Sequence, residues 1–477
     1  MVWFVFISHI LLVTALGYYF MTNMQWYSYK IERVVLHHTR WIWHVIYFLI
    51  PLFAYYFTGI YFWIYFYFAY LPALWLWQKR LDKKLVFTPR VKRFFALLIA
   101  LTLFQDLICL ARDACEVFGV ILPLTLAAIG SHLIEKVLFH GFLLKARRKL
   151  ERMEGLIVVG VTASYGKTSI KNFIAQIVGH EKAVYATPRS VNTLAGVVRD
   201  INESLPEDTE VYVVEMGARG PGDIAEIATF VKPHYAVVGV IGPQHIEYFK
   251  TLERIRDTKM EILQSPRLRH AWVHRSAHVK PDSKVTVFGD EIRNVHATLE
   301  GVDFDLALPQ KSVHVHIPIL GAFNAINVTA ALHVANALGI DYEKGARYAA
   351  HLKPVEHRLQ RIDAGGKIIL DDSFNGNIDG MFASFELAAQ HPGRKVLITP
   401  GLVEADESLN EKVAKKADEI FDLIVVTGKL NRDVFKKYVN ADKLRFLDDK
   451  SQMEALLAEI TKAGDLILFA NDAPGFI

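Results

Sequence analysis

The sequence predicts an α/β protein in which a series of apolar transmembrane helices precedes two domains built on parallel sheets with crossover helices. Three observations carry that reading. Long uncharged stretches are confined to the first 150 residues, short β-branched runs alternate with helical patterns after Glu154, and a Gly-Lys-Thr triplet lies between a strand pattern and a helix pattern. At 477 residues the chain exceeds the ~100–200 residues of a single domain. Hydrophobic residues make up 52%, mean hydropathy is +0.22 and charged residues are 22%, which excludes intrinsic disorder and leaves an apolar excess to be placed. A formal charge of +4 gives no ground for nucleic-acid binding. Two cysteines, Cys109 and Cys115, exclude a disulfide framework and a cysteine-rich metal site.

Residues 2–22 carry no charge and hold Trp3, Phe4, Ile10, Leu11, Leu12 and Leu16, enough for one bilayer crossing. A cleavable signal peptide is the competing reading, but the stretch has no basic start and no small-residue cleavage pattern before Tyr18-Tyr19. Residues 41–77 are again uncharged, and a helix of that length would run ~55 Å, nearly twice a ~30 Å hydrocarbon core. Two spans with a break near Thr58-Gly59 fit better than one. In residues 94–134, interrupted by Asp106, Arg112, Asp113 and Glu116, the segment 117–134 is a good span and 94–111 is a span or an interfacial helix. Basic residues cluster at Lys30, Arg33 and Arg40, at Lys79 to Arg93, and at Lys136 to Arg152. About five spans with the N-terminus outside would place all three clusters, and everything after Lys136, in the cytoplasm.

Beyond Glu154 the strand candidates are 156–161, 211–215 and 235–241 in one unit, then 367–370, 395–399, 423–427 and 466–469 in another. Pro354 lies at the expected hinge, in His351-Leu352-Lys353-Pro354. The expected organisation is therefore 1–150 membrane region, 151–352 central domain and 353–477 C-terminal domain.

The segment Gly160-Val161-Thr162-Ala163-Ser164-Tyr165-Gly166-Lys167-Thr168-Ser169 follows a buried-type strand and opens a helix with an apolar face at Ile170, Phe173, Ile174 and Ile177. That context is what a phosphate loop requires. Backbone N–H groups and the positive helix end cradle phosphates, Lys167 reaches the outer phosphates and Thr168 can ligate Mg²⁺. An acid at the end of a neighbouring strand, Glu215, is placed where a carboxylate can face a phosphate-bound Mg²⁺, the alternative being a solvated strand-end acid.

The spacing G-x-x-[GA]-x-x-G-K-[ST] resembles the ATP loop of the Mur ligase family, with Ala163 where glycine is usual. The resemblance extends from about residue 154 to the C-terminus, roughly two thirds of the chain, and implies a central P-loop ATPase domain and a Rossmann-like C-terminal domain. It implies that Gly160, Thr162, Gly166, Lys167, Thr168 and Ser169 bind ATP, and that Glu215, in Val214-Glu215-Met216-Gly217-Ala218, binds Mg²⁺ with Thr168. His245, in Gly242-Pro243-Gln244-His245, would attend a second Mg²⁺. Lys259, in Asp257-Thr258-Lys259-Met260, matches a lysine that the family carbamylates. Without the family, His245 reads as a structural histidine and Lys259 as a surface lysine. Asn192 and Thr193 resemble the loop facing the acyl substrate, Asn324 the adenine-binding amide (or else a helix cap) and Arg358 a linker residue that meets ATP. Leu370-Asp371-Asp372-Ser373-Phe374-Asn375-Gly376-Asn377 is similar to the element of the branch that adds D-alanyl-D-alanine, with Asp372 and Asn375 facing the nucleotide and the incoming amine.

The resemblance thus implies a ligase of bacterial peptidoglycan precursor synthesis with ATP and two Mg²⁺ as cofactors. Lys167, His245 and Lys259 would be its catalytic residues, and a UDP-linked muramoyl tripeptide and D-alanyl-D-alanine its substrates. With the membrane spans, the expected location is the cytoplasmic membrane, multi-pass, with the catalytic domains in the cytoplasm. The sequence departs from the family in three places. Membrane helices stand where the family has a soluble domain for the UDP end, Thr399-Pro400-Gly401-Leu402-Val403-Glu404 replaces G-D-M-x-E-L-G, and Ala470-Asn471-Asp472 replaces K-G-S. Three alternatives remain open: a Mur-like ligase acting on a lipid-linked or polyamino-acid acceptor, a P-loop ATPase energising transport, and a scaffold with a decayed nucleotide site.

Overall fold

The computed structural model describes residues 2–27, 29, 31–36, 40–81, 84–112, 117–244, 246–374, 377–403 and 405–471. The chain divides into two compact units, residues 1–141 and 142–477.

The secondary structure of the described residues in the first unit is helical. Among the described residues, four helices are long and apolar enough to cross a membrane: Trp3–Trp26, Gly59–Lys79, Pro89–Ala111 and Ile121–Arg152, the last of which runs on into the second unit. A fifth apolar helix, Ile42–Phe57, is shorter. The chain turns at Thr58-Gly59, where the length of the uncharged run required a break, and Gly59 adopts a positive φ of 57° there. An aromatic core of Tyr19, Phe62, Phe66, Tyr70, Trp77 and Phe94 fills the interior, with Leu12, Leu16 and Leu98. Asp106 is fully buried and receives a 2.8 Å bond from the Nδ1 of the equally buried His9, so the acid in the middle of an apolar helix is paired. Cys109, three residues further on, is disulfide-bonded.

The described residues of the second unit form three sheets. Strands β1 (Ile157–Thr162), β2 (Val184–Ala186), β3 (Val211–Glu215), β4 (Tyr235–Val238), β5 (His270–His274) and β6 (Val285–Phe288) form a parallel sheet in the order β2-β3-β1-β4-β5-β6. An antiparallel sheet follows from β7 (Ile292–Thr298), β8 (Gly301–Ala307) and β9 (Ser312–Ile317). The third sheet has the order β10-β11-β15-β12-β13-β14, from β10 (Gln360–Ala364), β11 (Lys367–Asp372), β12 (Lys395–Thr399), β13 (Leu423–Thr427), β14 (Leu444–Leu447) and β15 (Leu466–Ala470). Only β10 runs antiparallel there, paired with β11.

The core explains the position of the site. Helices on both faces bury β1, and all its residues but Ile157 are inaccessible, which is why it reads as an unbroken apolar run. The helix Lys167–Val178 presents Ile170, Phe173, Ile174 and Ile177 to Val159, Val161 and Val213 of the sheet and to Val328 and Leu332 of helix Asn324–Ala337. Each such fully buried side chain stabilises by ~1.5–3 kcal/mol. That packing sets the carboxyl ends of β1, β3 and β4 side by side. The strand order turns back on itself at β1, and an open parallel sheet leaves its ligand crevice at such a point.

Candidate active site

The loop between β1 and the helix Lys167–Val178 is held open from behind. Gly166 has a φ of 81°, and a Cβ there would come within 2.4 Å of Asn327 Oδ1, so only glycine fits the turn. Asn327 is fixed in turn, because its Nδ2 donates to Asn324 Oδ1 at 2.8 Å while Asn324 Nδ2 donates to the Leu320 carbonyl at 2.7 Å. Ala163 has no positive φ, and a side chain at Gly239 would meet its methyl at 2.9 Å. The alanine is therefore accommodated by a glycine across the sheet. Ser164 is tied down through its hydroxyl to the Gly242 carbonyl at 2.9 Å. Lys167 Nζ donates to the Ala163 carbonyl at 2.8 Å, the Ser164 carbonyl at 3.1 Å and Gln244 Oε1 at 3.3 Å.

Glu215 ends β3 directly opposite and is 1% exposed. Its carboxylate is the hub of the site. Thr168 donates its hydroxyl to Oε2 at 3.0 Å, Asn192 donates Nδ2 to Oε1 at 3.0 Å, and Lys171 Nζ lies 3.5 Å from Oε2. The Asn192 side chain reaches it across Gly217, where a Cβ would sit 2.7 Å from Asn192 Cγ. Thr193 spends its hydroxyl on the N-terminus of helix Leu194–Glu203, accepting from Gly196 N at 3.3 Å. Gly160 and Thr162 lie inside β1. A Cβ at Gly160 would press on Ile262 and Met216, and the Thr162 hydroxyl is committed to the Met216 carbonyl at 2.9 Å. Ser169 is buried in the first helical turn.

Lys259, on helix Leu252–Met260, is 2% exposed. Burial, reinforced by the charge of Lys167, pushes its amine down to about 7 against the pull of Asp223, Glu215 and Glu261. Burial likewise lowers Lys167 to about 8, with Glu215 opposing and Arg358 assisting. Arg358 is held below its usual value by burial, opposed by Asp372 and Glu215. It projects from a linker whose residues on either side, His357 and Leu359, have φ of 62° and 53°, a left-handed conformation rare outside glycine. His357 Nδ1 pairs with the buried Asp371 at 2.7 Å, and Ser373 bonds the same carboxylate, which fastens this strained linker to β11. Arg358 donates to the Phe374 carbonyl. Asp372, the next residue of β11, is buried at the strand's carboxyl end.

Lys167, Lys259, Glu215, Thr168 and Arg358 thus lie close enough to act on one another, with Asp372 acting on Arg358. His245 and Asn375 lie outside the described residues. Among the described residues no group of three or more His, Cys, Asp or Glu side chains is arranged to hold a metal. Sequence reasoning missed Lys171 and Asp371. A signal existed for Lys171: it falls four residues after Lys167 and three before Ile174, on the buried side of the helix. Asp371 stood beside the motif residue Asp372, and only the structure shows which of the two faces the linker.

A parallel sheet with a phosphate loop at its central strand, a buried carboxylate closing the next strand and a second sheet-bearing region beyond it is the Mur ligase fold. Residues 161–335 match the model of the Mur ligase middle domain. Among curated relatives, the chain is 27% identical over 327 residues to the UDP-N-acetylmuramoyl-tripeptide–D-alanyl-D-alanine ligase of Synechocystis, covering 65% of this chain and 71% of that one. It is 30% identical over 293 residues to the enzyme of the same name from Escherichia coli, covering 57% and 64%. Among solved structures, the MurF ligase of Thermotoga maritima in complex with ADP superposes with a TM-score of 0.61 at 25% identity, over 70% of this chain and 80% of that one. The folylpolyglutamate synthase of the same organism shares the fold, with a TM-score of 0.52 at 16% identity over 72% and 94%.

Proposed function

We propose that the chain is an ATP-dependent carboxylate–amine ligase that adds D-alanyl-D-alanine to a UDP-N-acetylmuramoyl tripeptide in peptidoglycan precursor synthesis. The observation that carries this reading is electrostatic. Three cations, Lys167, Lys259 and Arg358, act on the single carboxylate of Glu215 at the mouth of a phosphate loop, and their burial and the repulsion of Lys167 with Lys259 and Arg358 favour a polyanion between them. The relatives' shared name supplies the substrates.

Joining a carboxylate to an amine in water requires a better electrophile than the carboxylate, and the γ-phosphoryl of ATP makes one as an acyl phosphate. Lys167 would neutralise charge on the transferring phosphoryl group, and Arg358 would approach it from the C-terminal side. Thr168 and Glu215 offer a hydroxyl and a carboxylate 3.0 Å apart, a donor set that suits Mg²⁺ and would hold it. Bound there, the ion would supply further charge stabilisation, with His245 and Lys259 as the residues for a second. Asn192 would hold the acyl substrate, Asn324 would shape the nucleotide pocket, and Asp372 and Asn375 would orient the amine. Closure of residues 353–477 over 151–352 would exclude water that would otherwise hydrolyse the acyl phosphate.

The apolar helices support a multi-pass position in the cytoplasmic membrane with the catalytic part inside. The disulfide at Cys109 supports the same orientation. It lies at the far end of helix Pro89–Arg112 from Arg90, Lys92 and Arg93, and disulfides persist on the oxidising side of a membrane.

The test is phosphate release by the purified full chain in detergent. Turnover is expected only when Mg²⁺-ATP, the UDP-linked tripeptide and D-alanyl-D-alanine are all present. Turnover confined to a lipid-linked or other acyl acceptor would overturn the substrate assignment, and acceptor-independent hydrolysis would overturn the ligase.

A further inference from the structure

Lys171 is an anomaly in its helix. A lysine ordinarily keeps its ammonium in water, yet this one is 0% exposed, and burying an ammonium is costly unless it is fully bonded. Its Nζ donates to two backbone carbonyls at 2.6 Å each, those of Thr187 and Arg189, and its third neighbour is Glu215 Oε2 at 3.5 Å. All three belong to the site. Thr187 also accepts from Glu215 N at 3.1 Å through its hydroxyl, and Arg189, with a φ of 47°, holds a backbone conformation that L-residues resist. The segment they begin ends at Asn192, which donates to the other Glu215 oxygen. One ammonium therefore joins the phosphate-loop helix, the end of β3 and the loop that carries Asn192.

We infer that Lys171 is a positioning residue, fixing the Glu215 carboxylate and the Thr187 to Asn192 segment in the mutual arrangement that Mg²⁺ and the acyl substrate, the tripeptide that accepts D-alanyl-D-alanine, require. The inference rests on the proposed ligase reading. Lys171 needs no contact with substrate. It cancels the charge of Glu215 when no metal is bound, and its bonds to two carbonyls hold it in place when a metal shares that carboxylate. The strained turn at Arg189 is kept by the same bonds, so the acceptor-facing amide of Asn192 stays registered with the metal-facing carboxylate.

Lys171→Met keeps length and apolar bulk on the helix's buried side while removing the charge, and Lys171→Arg restores a cation. In the full chain, Lys171→Met is expected to raise the KM for the acyl substrate and the Mg²⁺ concentration for half-maximal ADP binding, each about ten- to hundredfold. KM for ATP should move far less, and Lys171→Arg should recover part of both losses. Unchanged Mg²⁺ dependence and unchanged acceptor KM in Lys171→Met would overturn the inference. So would losses in every parameter that track a lowered thermal midpoint and that arginine does not rescue. Should Lys171→Met fail to fold, Lys171→Gln, which keeps a donor without the charge, carries the same comparison. Calorimetry of Mg²⁺-dependent ADP binding needs no acceptor, so it judges Lys171 even if the wild type joins no D-alanyl-D-alanine, a result that would sink only the ligase reading.

Discussion

Lys259 shows how far a single residue can be read. By sequence it is one lysine in a charged helix, and only the family resemblance marks it. The structure supplies the physical reason: it is 2% exposed, and burial together with the charge of Lys167 outweighs the pull of Asp223, Glu215 and Glu261. Its amine therefore titrates near 7, where the neutral form, the one able to take up carbon dioxide, is abundant at physiological pH. Stability must be sacrificed for this. The folded-state value lies below the ordinary lysine value, so between the two the unfolded chain binds more protons and stability rises with pH. Below about 7 the cost of the buried charge is present in full. Lys259→Met is expected to abolish ligation while stabilising the nucleotide-free protein at pH 7 by up to on the order of 2–4 kcal/mol, a gain that shrinks as the pH approaches 10. Thermal unfolding of both proteins at pH 7 and 9.5 checks this, and equal midpoints at pH 7 would refute it. Lys171 was open to the opposite error, because a lysine is assumed solvated unless its helical position is weighed.

At the scale of elements, the buried parallel strands were legible because burial on both faces leaves an uninterrupted β-branched run: β3, β12 and β13 occupy the residues expected for them. The antiparallel sheet was missed. Its alternation is plain in Ser312–Ile317, where exposed and buried residues alternate through Val313, Val315 and Ile317, but the intervening histidines and the aspartates of β8 leave no uninterrupted β-branched run. Strand β5 carries histidine at both ends, which hid it in the same way. The phosphate loop itself was fully visible, but what holds it in shape was not, since Asn327 lies 161 residues away in sequence from the glycine it confines. That confinement predicts a coupled effect. Gly166→Ala should cost about 1–2 kcal/mol from the left-handed backbone alone, with more from the clash, and should weaken ADP binding at least tenfold. Adding Asn327→Ala should return part of the lost stability but little of the affinity, because the clash is relieved and the backbone strain is not. A double-mutant cycle in thermal unfolding with no coupling between the two positions would show that Asn327 does not shape the loop.

For the whole molecule, the proposed membrane position turns on how many of the apolar helices in the first 150 residues would cross a bilayer. Helices Trp3–Trp26, Gly59–Lys79 and Pro89–Ala111 have 24, 21 and 23 residues, or roughly 32–36 Å at ~1.5 Å per residue, which matches a ~30 Å core. Helix Ile42–Phe57 would reach only ~24 Å, and by length alone it could lie within one leaflet. Its packing argues for a crossing. Tyr55 is buried and donates to the Phe118 carbonyl at 3.0 Å, Tyr47 accepts from Tyr70 at 3.0 Å, and His44 meets Tyr19 at 2.7 Å, so both ends are tied into the helical core. Thinning of the bilayer around a short span costs only fractions of a kcal/mol per Å, less than breaking those bonds. Five crossings put the two termini on opposite sides, whereas four would put them on the same side. With epitope tags at both ends of the full chain in intact spheroplasts, the N-terminal tag should be cleaved by external protease and the C-terminal tag protected, until the membrane is permeabilised. The chain should stay with the membrane through alkaline carbonate extraction. Protection of both tags would reduce the count to four, reverse the first helix and place Arg33 and Arg40 outside against the charge rule; release by carbonate would remove the membrane assignment altogether.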